Sequence, residues 1–547
     1  MKKFKIIFLT TILLGNSYLS AQQTVGLFLN TADSFNGYTL FAPLANKTTY
    51  LIDNCGEKIH SWTSSYRPGN SVYLLEGGTL LRTGNTTNTT FNAGGSGGII
   101  EMIDWNGDVN WDYTISSSIE CQHHDIEYLP NGNILAIVWD SKTAEEATQA
   151  GRTTSGTTLW SEKVVEIQPD LVNGGGTIVW EWKAWDHLVQ DVNINLDNYG
   201  TISTSPELIN INFYSGNPNI EDWLHINAIA YNEELDQIIL SNHNFSELWV
   251  IDHSTTTSET TGHTGGIYNK GGDLLYRWGN PQTYDQGNSN DQMLFKQHDS
   301  YWIEDSFIDG GMIMVFNNQA GNTVDYSAVN IIDPPIDSDG NYIYSGSSYG
   351  PSDFHWTYQA AVPTDFYAEN ISGARRLPNG NTLICEGPSG KFFEVDYTGN
   401  IVWEYVNPVN NSGPITQGFS AVQNSVFRCI RYATDYPGFD GHTLTQQGYI
   451  EPGSTFTCDL FNGVIEEKIE LEIAIYPNPA QNKIVITSDN KLKTISIYNA
   501  VGEKILEQSP NTKEVTINTE QLSNGIYLIN ITTSKGEFFS NKVIIAK

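Results

Sequence analysis

Three histidines, His124, His225 and His298, occupy the same position in three similar segments of the chain. Each stands directly before an apolar stretch that has the pattern of the first strand of a repeating unit. Near neutral pH, histidine readily supplies a neutral nucleophile, a proton or a metal ligand. Because equivalent positions of a closed repeat face one another, this arrangement predicts that the rings converge on one site.

The repeat itself does not require histidine at this position. The equivalent residues of two other units lie near Asn70 and Ser372, and neither carries a charge. One of those units begins with Arg375-Arg376. One of the two arginines is predicted to face the central channel of the repeat and to bind an anion there. The alternative is a solvated strand end. A single histidine would serve equally well as a strand cap, but three at one repeat position indicate a function.

Three imidazoles also suit zinc, so a metal site is a competing interpretation. Asp125 and Asp299 are adjacent in sequence to two of the histidines, but no carboxylate is obliged to complete the ligand set. The chain has no Cys-x-x-Cys pair and no other zinc-ligand spacing. We therefore expect neither a metal nor an organic cofactor at this site.

Recurring short phrases indicate how these residues are positioned. A glycine, an alternating β pair and a tryptophan recur at 107–111, 176–180 and 399–403, with looser copies at 56–62 and 272–278. An apolar strand that usually ends in Asp precedes the phrase, and a hairpin with an Asn-Gly or Gly-Gly turn lies further upstream. Each unit therefore reads as four strands joined by turns and one loop.

Such units begin near residues 38, 72, 126, 227, 300 and 373. About six four-stranded antiparallel blades closed into a ring make a β-propeller, which leaves few free sheet edges. The predicted fold class is all-β, a six-bladed β-propeller followed by a small C-terminal β-sandwich. Stretches 184–222 and 316–350 are predicted to be surface insertions. The alternative, a right-handed β-helix, repeats at shorter and more regular intervals.

The two ends of the chain have their own signatures. Residues 1–21 run from a basic start through an apolar stretch to small residues, which is typical of a secretory signal peptide. The apolar stretch is short for a bilayer span, so a membrane anchor is the less favoured alternative, and no later segment is predicted to cross a membrane. We predict the propeller over residues 25–450, a linker over 451–474 and the β-sandwich over 475–547.

The composition narrows the choice of partners and of covalent links. The 547 residues carry a formal net charge of −34, and such a surface repels nucleic-acid phosphates, so no nucleic-acid partner is expected. Five cysteines are too few for a disulfide framework. Cys429 and Cys458 are plausible partners in an oxidising compartment, although the sequence does not decide the pairing.

The last segment carries a distinctive set of motifs. They are Tyr476-Pro477-Asn478-Pro479, the turn 499–502, the strand 525–528 and a terminal lysine. Together they resemble the C-terminal sorting domain of the type IX secretion system over residues 475–547. The resemblance implies that the secretion machinery is a partner and that the protein passes through the periplasm to be secreted or held on the outer cell surface.

The large domain also resembles a known family. The similarity lies in segments 223–227 and 238–243, in the His124-Asp125 and Gln297-His298-Asp299 strand starts, and in segments 426–432 and 435–438. These are similar to arylsulfate sulfotransferases over residues 35–445. The resemblance implies a six-bladed propeller that moves a sulfuryl group from an aryl sulfate to a phenolic acceptor. It further implies a sulfated histidine as the intermediate and no nucleotide donor.

The resemblance also assigns roles to individual residues. His298 matches the histidine that becomes sulfated, whereas His124, His225 and Asn227 match groups that hold the sulfuryl oxygens. The family has Arg where this chain has His243, and a neutral histidine is a weaker anion clamp than arginine. Two alternatives therefore stay open: a non-catalytic propeller that binds glycans or aromatic ligands at the cell surface, and a metal-dependent hydrolase.

Overall fold

A computed structural model describes residues 23–154, 158–214, 216, 220–321, 324–337, 340–454, 458, 473–499, 504–534 and 538–547. The predicted signal peptide and most of the predicted linker lie outside these residues. The chain forms two compact units that divide after Phe461. No helix in these ranges is both long enough and apolar enough to span a membrane.

The first unit contains six antiparallel sheets arranged as the blades of a β-propeller, and the predicted fold class is confirmed. From the innermost strand outward, blade one contains Val426–Ala433, Gly37–Pro43, Thr48–Ile52 and Lys58–Thr63. Blade two contains Pro68–Leu74, Leu80–Asn85, Gly98–Ile103 and Val109–Thr114. Blade three contains Glu120–Tyr128, Ile134–Lys142, Leu159–Pro169 and Gly176–Lys183. Blade four contains Ile226–Asn232, Gln237–Asn242, Glu247–Asp252 and Tyr276–Trp278. Blade five contains His298–Trp302, Ile313–Asn317, Ala328–Ile332 and Trp356–Tyr358. Blade six contains Gly373–Arg376, Thr382–Glu386, Lys391–Val395, Ile401–Val406 and Gly26–Asn30.

Strands from both ends of the propeller sequence close the ring. The innermost strand of blade one is Val426–Ala433, which pairs with Gly37–Pro43, so the prediction that blade one begins near residue 38 is wrong by one strand. Gly26–Asn30 adds a fifth strand to the outer edge of blade six. Mixing early and late strands in one sheet makes closure depend on long-range hydrogen bonds, which a local repeat pattern does not reveal.

A disulfide between Cys55 and Cys458 also joins the two ends of the first unit, with a Cα–Cα distance of 5.6 Å. The suggested pairing of Cys429 with Cys458 is therefore wrong. Cys429 is a buried free thiol on the innermost strand of blade one, where it packs in the apolar core. Cys55 lies in an outer turn of the same blade, which explains why it, and not an inner-strand residue, reaches Cys458.

Tryptophans of the fourth strands link each blade to the next. Trp62 Nε1 donates to the Asp104 carbonyl of the following blade at 3.0 Å, and Trp403 closes the circle by donating to the Asn54 carbonyl of blade one at 2.8 Å. The other junctions are made, in order, by Trp111 to Gly175 O, Trp180 to Thr255 Oγ1, Trp278 to Pro351 O and Trp356 to Tyr397 O. The recurring tryptophan phrase is therefore a blade-to-blade connector.

The connections between strands hold the remaining short elements. Stretch 184–222 contains the 3-10 turns Ala184–His187 and Ile202–Thr204 and a parallel pair, Leu188–Val189 with Ile209–Asn210. Stretch 316–350 is not a single insertion as predicted, because Ala328–Ile332 is the third strand of blade five. The other elements are the helix Ala144–Gln149, the 3-10 turns Pro281–Tyr284, Pro363–Asp365, Gly387–Ser389 and Pro437–Phe439, and the pair Val409–Asn410 with Gly413–Pro414.

The second unit is a curled β-sheet whose halves enclose an isoleucine-rich core that includes Ile484, Ile495 and Ile529. Its strands are Ala474–Tyr476, Lys483–Tyr498, Lys504–Gln508, Thr512–Asn518, Gly525–Thr533 and Phe538–Ile545. The predicted strands 483–487 and 494–498 are parts of one long strand. Its first half pairs with Thr512–Asn518 and its second half with Gly525–Thr533, so this strand belongs to both faces of the fold.

Candidate functional site

Innermost strands of neighbouring blades contact one another around the central channel. In blades two to five the pairing of the innermost strand with the second strand is interrupted by a bulge. In blade five, His298 pairs with Phe316 but Tyr301 pairs with Met314, so the inner strand accommodates one extra residue. Bulges re-aim side chains and are frequent beside active sites.

The backbone at these bulges adopts the left-handed region that most side chains avoid. His124 has a φ of 50°, His225 of 55° and Asp299 of 54°. Asn70 and Ser372, at the equivalent positions of blades two and six, also have positive φ values. The bend is therefore a property of the propeller, whereas the histidines are confined to blades three, four and five.

Four imidazole rings meet at the bulged ends of these blades. The ring centroids of His124 and His225 are 4.6 Å apart, those of His225 and His243 are 5.0 Å apart, and those of His243 and His298 are 5.4 Å apart. His124 and His298 lie on innermost strands, His225 directly precedes one, and His243 follows the second strand of blade four. The structure thus brings four of the six predicted site residues into one row.

His298 is held as a neutral imidazole with a defined tautomer. Its Nδ1 lies 2.8 Å from Oδ1 of Asn318, and the Asn318 amide nitrogen donates to the carbonyls of Ala368 and Ile371 at 2.9 Å each. Because Oδ1 only accepts, Nδ1 of His298 carries the proton and Nε2 carries the lone pair. Burial lowers the pKa of His298 to about 3, so the ring is unprotonated at neutral pH.

His124 is the end of a buried chain of three titratable groups. Its Nδ1 lies 2.7 Å from Nδ1 of His123, and Nε2 of His123 lies 2.6 Å from Oε2 of Glu162. Burial lowers the pKa values of both histidines and raises that of Glu162 well above its usual range. Two protonation patterns satisfy these contacts. When Glu162 is protonated, it donates to Nε2 of His123, His123 donates through Nδ1 to His124, and His124 carries its proton on Nε2. When Glu162 is ionised, it accepts from Nε2 of His123, and His124 donates through Nδ1 and keeps a lone pair on Nε2.

His225 is oriented by a carboxylate. Its Nδ1 donates to Oδ2 of Asp222 at 2.5 Å, and the other oxygen of Asp222 accepts from Nε1 of Trp139 at 3.1 Å. A buried carboxylate in this position fixes the tautomer and the orientation of the ring. His225 is therefore a rigidly held polar group of the histidine row.

His243 and Lys296 share one contact atom at the edge of the cluster. Oδ1 of Asn244 lies 2.9 Å from Nδ1 of His243 and 3.4 Å from the Lys296 ammonium. Burial is the main cause of the lowered pKa of His243, so this ring is neutral. Lys296 therefore places a positive charge beside His243.

The other two predicted site residues have different surroundings. The amide nitrogen of Asn227 donates to the carbonyl of Gln297 at 2.8 Å, directly before His298. Arg375 lies 2.8 Å from Asp299 and stacks 4.0 Å over the ring of Tyr301. Asn227 thus braces the bulge of blade five, and the Arg375 guanidinium is already paired with a carboxylate.

A layer of buried charges adjoins the histidine row. The Arg428 guanidinium lies 2.8 Å from Asp125 and 2.9 Å from Asp299, so it links the aspartates that follow His124 and His298 in sequence. These carboxylates stabilise the charge and raise the pKa of Arg428 despite its burial. The aspartates therefore anchor the strands that carry His124 and His298.

Sequence reasoning did not find Glu162, Asp222, Lys296 or Asn318, which orient or charge the cluster. Glu162 is on the third strand of blade three, and Asn318 follows the second strand of blade five. Both residues lie away from the repeat position that the three histidines share, so that position gives no signal for them. Asp222 and Lys296 lie within three residues of His225 and His298, and a search of those flanks for charged groups would have singled them out.

Comparison with known families agrees with this architecture. Residues 30–401 match the model described as arylsulfotransferase (ASST), and residues 474–546 match that of the secretion system C-terminal sorting domain. The first match spans more than half of the chain, so the protein belongs to the arylsulfotransferase family. The second marks it as a type IX protein that is secreted or held at the cell surface, which agrees with the predicted export.

Similarity to individual proteins is weaker. No curated protein matches the chain significantly. A protein of unknown function from Bacteroides caccae is 12% identical, with a TM-score of 0.38, over 73% of this chain and 99% of its own. Streptogramin B lyase is 11% identical, with a TM-score of 0.34, over 76% and 96% of the two chains. Similarities this weak do not bear on function.

Proposed function

We propose that this protein is an exported aryl sulfotransferase that moves a sulfuryl group from an aryl sulfate to a phenol through a sulfated His298. The observation that carries the proposal is the contact between Nδ1 of His298 and Asn318. It leaves the Nε2 lone pair of a neutral imidazole as the nucleophile beside three further histidines.

In the first half of the reaction, Nε2 of His298 attacks sulfur and a nitrogen–sulfur bond forms. The bond between sulfur and the phenolic oxygen breaks, and its electron pair stays on the departing oxygen. The histidine is then an N-sulfo imidazolium whose Nδ1 proton remains hydrogen-bonded to Asn318. In the second half, the oxygen of an acceptor phenol attacks sulfur, the nitrogen–sulfur bond breaks and His298 returns to its neutral form.

The departing phenolate needs a proton, and the chain from Glu162 through His123 to His124 supplies it in our proposal. His124 gives up its Nε2 proton and takes one at Nδ1 from His123, which in turn takes one at Nε2 from Glu162. The chain runs in reverse to accept the proton of the acceptor phenol. A buried acid whose pKa is raised suits the role of a general acid.

Negative charge on the sulfuryl oxygens is balanced by fixed groups. We assign His225, oriented by Asp222, and the Lys296 ammonium to these oxygens. His243 contributes contact rather than charge in its neutral form. Asn227 and Arg375, first expected to bind substrate directly, act in this scheme by holding the strands that carry His298.

The test is to incubate the purified protein with a chromogenic aryl sulfate and a phenolic acceptor. Phenol release and acceptor sulfation are followed, and an alkaline-quenched sample is searched by mass spectrometry for sulfate on His298. We expect the modification in the wild type, and we expect His298→Ala to lose both the modification and turnover. His355→Ala, a surface histidine paired with Asp309, is the matched control and should retain both.

Turnover that is undiminished in His298→Ala would contradict the mechanism. A wild-type protein that binds aryl sulfates but turns over none of them would favour the non-catalytic propeller. The neutral His243 in place of Arg is the observation behind that second candidate.

A further inference from the structure

Outside the histidine row, a second group of metal-type ligands joins two insertions of the propeller. His187 ends the 3-10 turn after the outermost strand of blade three, whereas His263 and Asp273 belong to the loop before the outermost strand of blade four. One ligand atom from each of the three residues lies within 4.8 Å of the others. Three separate positions of the chain therefore converge on one point.

The carboxylate lies between the two imidazoles. Oδ1 of Asp273 is 2.9 Å from Nδ1 of His187 and 2.8 Å from Nδ1 of His263. These are hydrogen-bond separations, whereas neighbouring ligands at about 2.1 Å from a tetrahedral zinc ion lie about 3.4 Å apart. The three atoms would therefore move apart by about half an ångström to share one metal ion.

The contacts of His187 indicate which of its two ring nitrogens carries a proton. Its Nε2 lies 2.7 Å from the carbonyl oxygen of Thr260, which only accepts, so Nε2 carries a proton. In a neutral ring the lone pair is then on Nδ1, facing the Asp273 oxygen. Two acceptors face each other across 2.9 Å unless a proton or a cation lies between them.

The ring of His187 is also fixed in position. It is fully buried and stacks on Trp182 at 5.9 Å and 3°, and Trp182 in turn donates to the Gly272 carbonyl at 2.7 Å. A β-carbon at Gly272 would come within 2.4 Å of Nε2 of His187, so the loop packs directly on the ring. An imidazole whose remote nitrogen is bound to a backbone carbonyl is the usual arrangement for a metal-binding histidine.

Access differs among the three ligands. His187 and Asp273 are buried, but the His263 side chain is 63% exposed, so solvent reaches the group from one side. An ion there keeps open positions for water. Two imidazoles and one carboxylate are ligands that zinc accepts, whereas calcium and magnesium prefer oxygen ligands alone.

We propose that His187, His263 and Asp273 form a Zn²⁺ site that clasps the blade-four loop to the connection leaving blade three. The metal binds through Nδ1 of each histidine and Oδ1 of the aspartate, with water completing the shell. This site is separate from the histidine row and does not depend on the proposed sulfotransferase activity. Because zinc binds the folded arrangement and not the separated ligands, it stabilises the native propeller.

The test is a calorimetric titration of Zn²⁺ into the mature protein at pH 7.5, with His263→Ala, Asp273→Asn and His355→Ala measured alongside. We expect both ligand variants to bind one equivalent fewer than the wild type, and His355→Ala to bind as the wild type does. Counting the difference removes any zinc taken up by the histidine row. His355 is a suitable control because its side chain is exposed and contacts one carboxylate, Asp309, at 3.1 Å.

Thermal unfolding gives the second readout. Zn²⁺ should raise the Tm of the wild type and of the control by a few degrees, and should leave the Tm of His263→Ala unchanged. Since the His263 side chain is exposed, that variant should fold normally, and its Tm without metal checks this. Equal zinc stoichiometry in the wild type and both ligand variants would overturn the proposal and leave the three residues as a hydrogen-bonded cluster.

Discussion

Histidines near the channel and histidines between the outer hairpins of this propeller experience opposite electrostatic environments. His124 and His298 are buried beside other imidazoles, and burial lowers their pKa values, that of His298 to about 3. His253 lies between blades three and four, within 3.0 Å of Glu166 and 2.8 Å of Asp236. Burial opposes its protonation, but the two carboxylates outweigh that effect and raise its pKa to about 9.

The difference shows how one side chain serves two purposes in one fold. An imidazole paired with two carboxylates is a cation that ties neighbouring blades together. An imidazole surrounded by other imidazoles and amide oxygens stays neutral and keeps a lone pair for chemistry. What separates the two classes is the set of partners, since both are largely buried.

Among the groups near the channel, the largest expected effect apart from the loss of His298 concerns the proton chain from Glu162 to His124. Glu162→Gln keeps the shape of the side chain but cannot pass a proton, so turnover should fall about a hundredfold. The loss should be greatest for aryl sulfates whose phenols are weak acids, because those leaving groups need protonation most. Initial rates over a series of leaving groups measure this dependence.

Glu101→Gln is the matched control, since Glu101 is a buried carboxylate that pairs with Arg82 in blade two, away from the histidine row. It should leave the leaving-group dependence unchanged. If Glu162→Gln lowers all rates equally, the glutamate only supports the structure and the proton chain is wrong.

For His253, which lies between the outer hairpins, the substitution His253→Gln should lower the free energy of unfolding by about 3 kcal/mol at pH 6. The reason is that the pKa of His253 rises from 6.5 to about 9 on folding. A raised pKa stabilises the fold fully below pH 6.5, and this contribution is lost as the pH rises through about 9. The difference between wild type and variant should therefore disappear near pH 10. Urea unfolding at the two pH values measures it.

The inner histidines should show the opposite sign. Because their pKa values fall on folding, the unfolded chain takes up protons first as the pH drops below about 6.5. The wild type should thus lose stability between pH 6.5 and 4, and His298→Ala should lose less. A wild-type unfolding free energy that is constant over this range would contradict the neutral state of the inner rings.

The smallest expected effect on activity is at His243, a neutral ring of the histidine row. His243→Arg adds a permanent cation beside His298 and should raise kcat/KM for aryl sulfates by a few-fold. Lys296 already supplies a positive charge nearby, so the gain should be modest. His243→Gln, which adds no charge, should not raise the rate; an equal rise in both variants would show that size and not charge matters.

Much of this molecule could be predicted from local patterns. The glycine and tryptophan phrases predicted blades because each copy forms the same outer strand, and the tryptophans make one kind of blade-to-blade contact around the ring. The three histidines at one repeat position predicted a shared site because closed repeats bring equivalent residues together. The tail was recognisable because its motifs lie within one short segment.

Only the tertiary structure decided how the ring closes and what state the histidines adopt. Val426–Ala433 and Cys458 meet partners near the start of the chain, and no local pattern records a pairing across 403 residues. The charge of each histidine likewise depends on groups far away in sequence, such as Glu162 for His123 and Glu166 for His253. Sequence determined which residues are repeated, whereas burial and long-range partners determined which of them are neutral, charged or free to react.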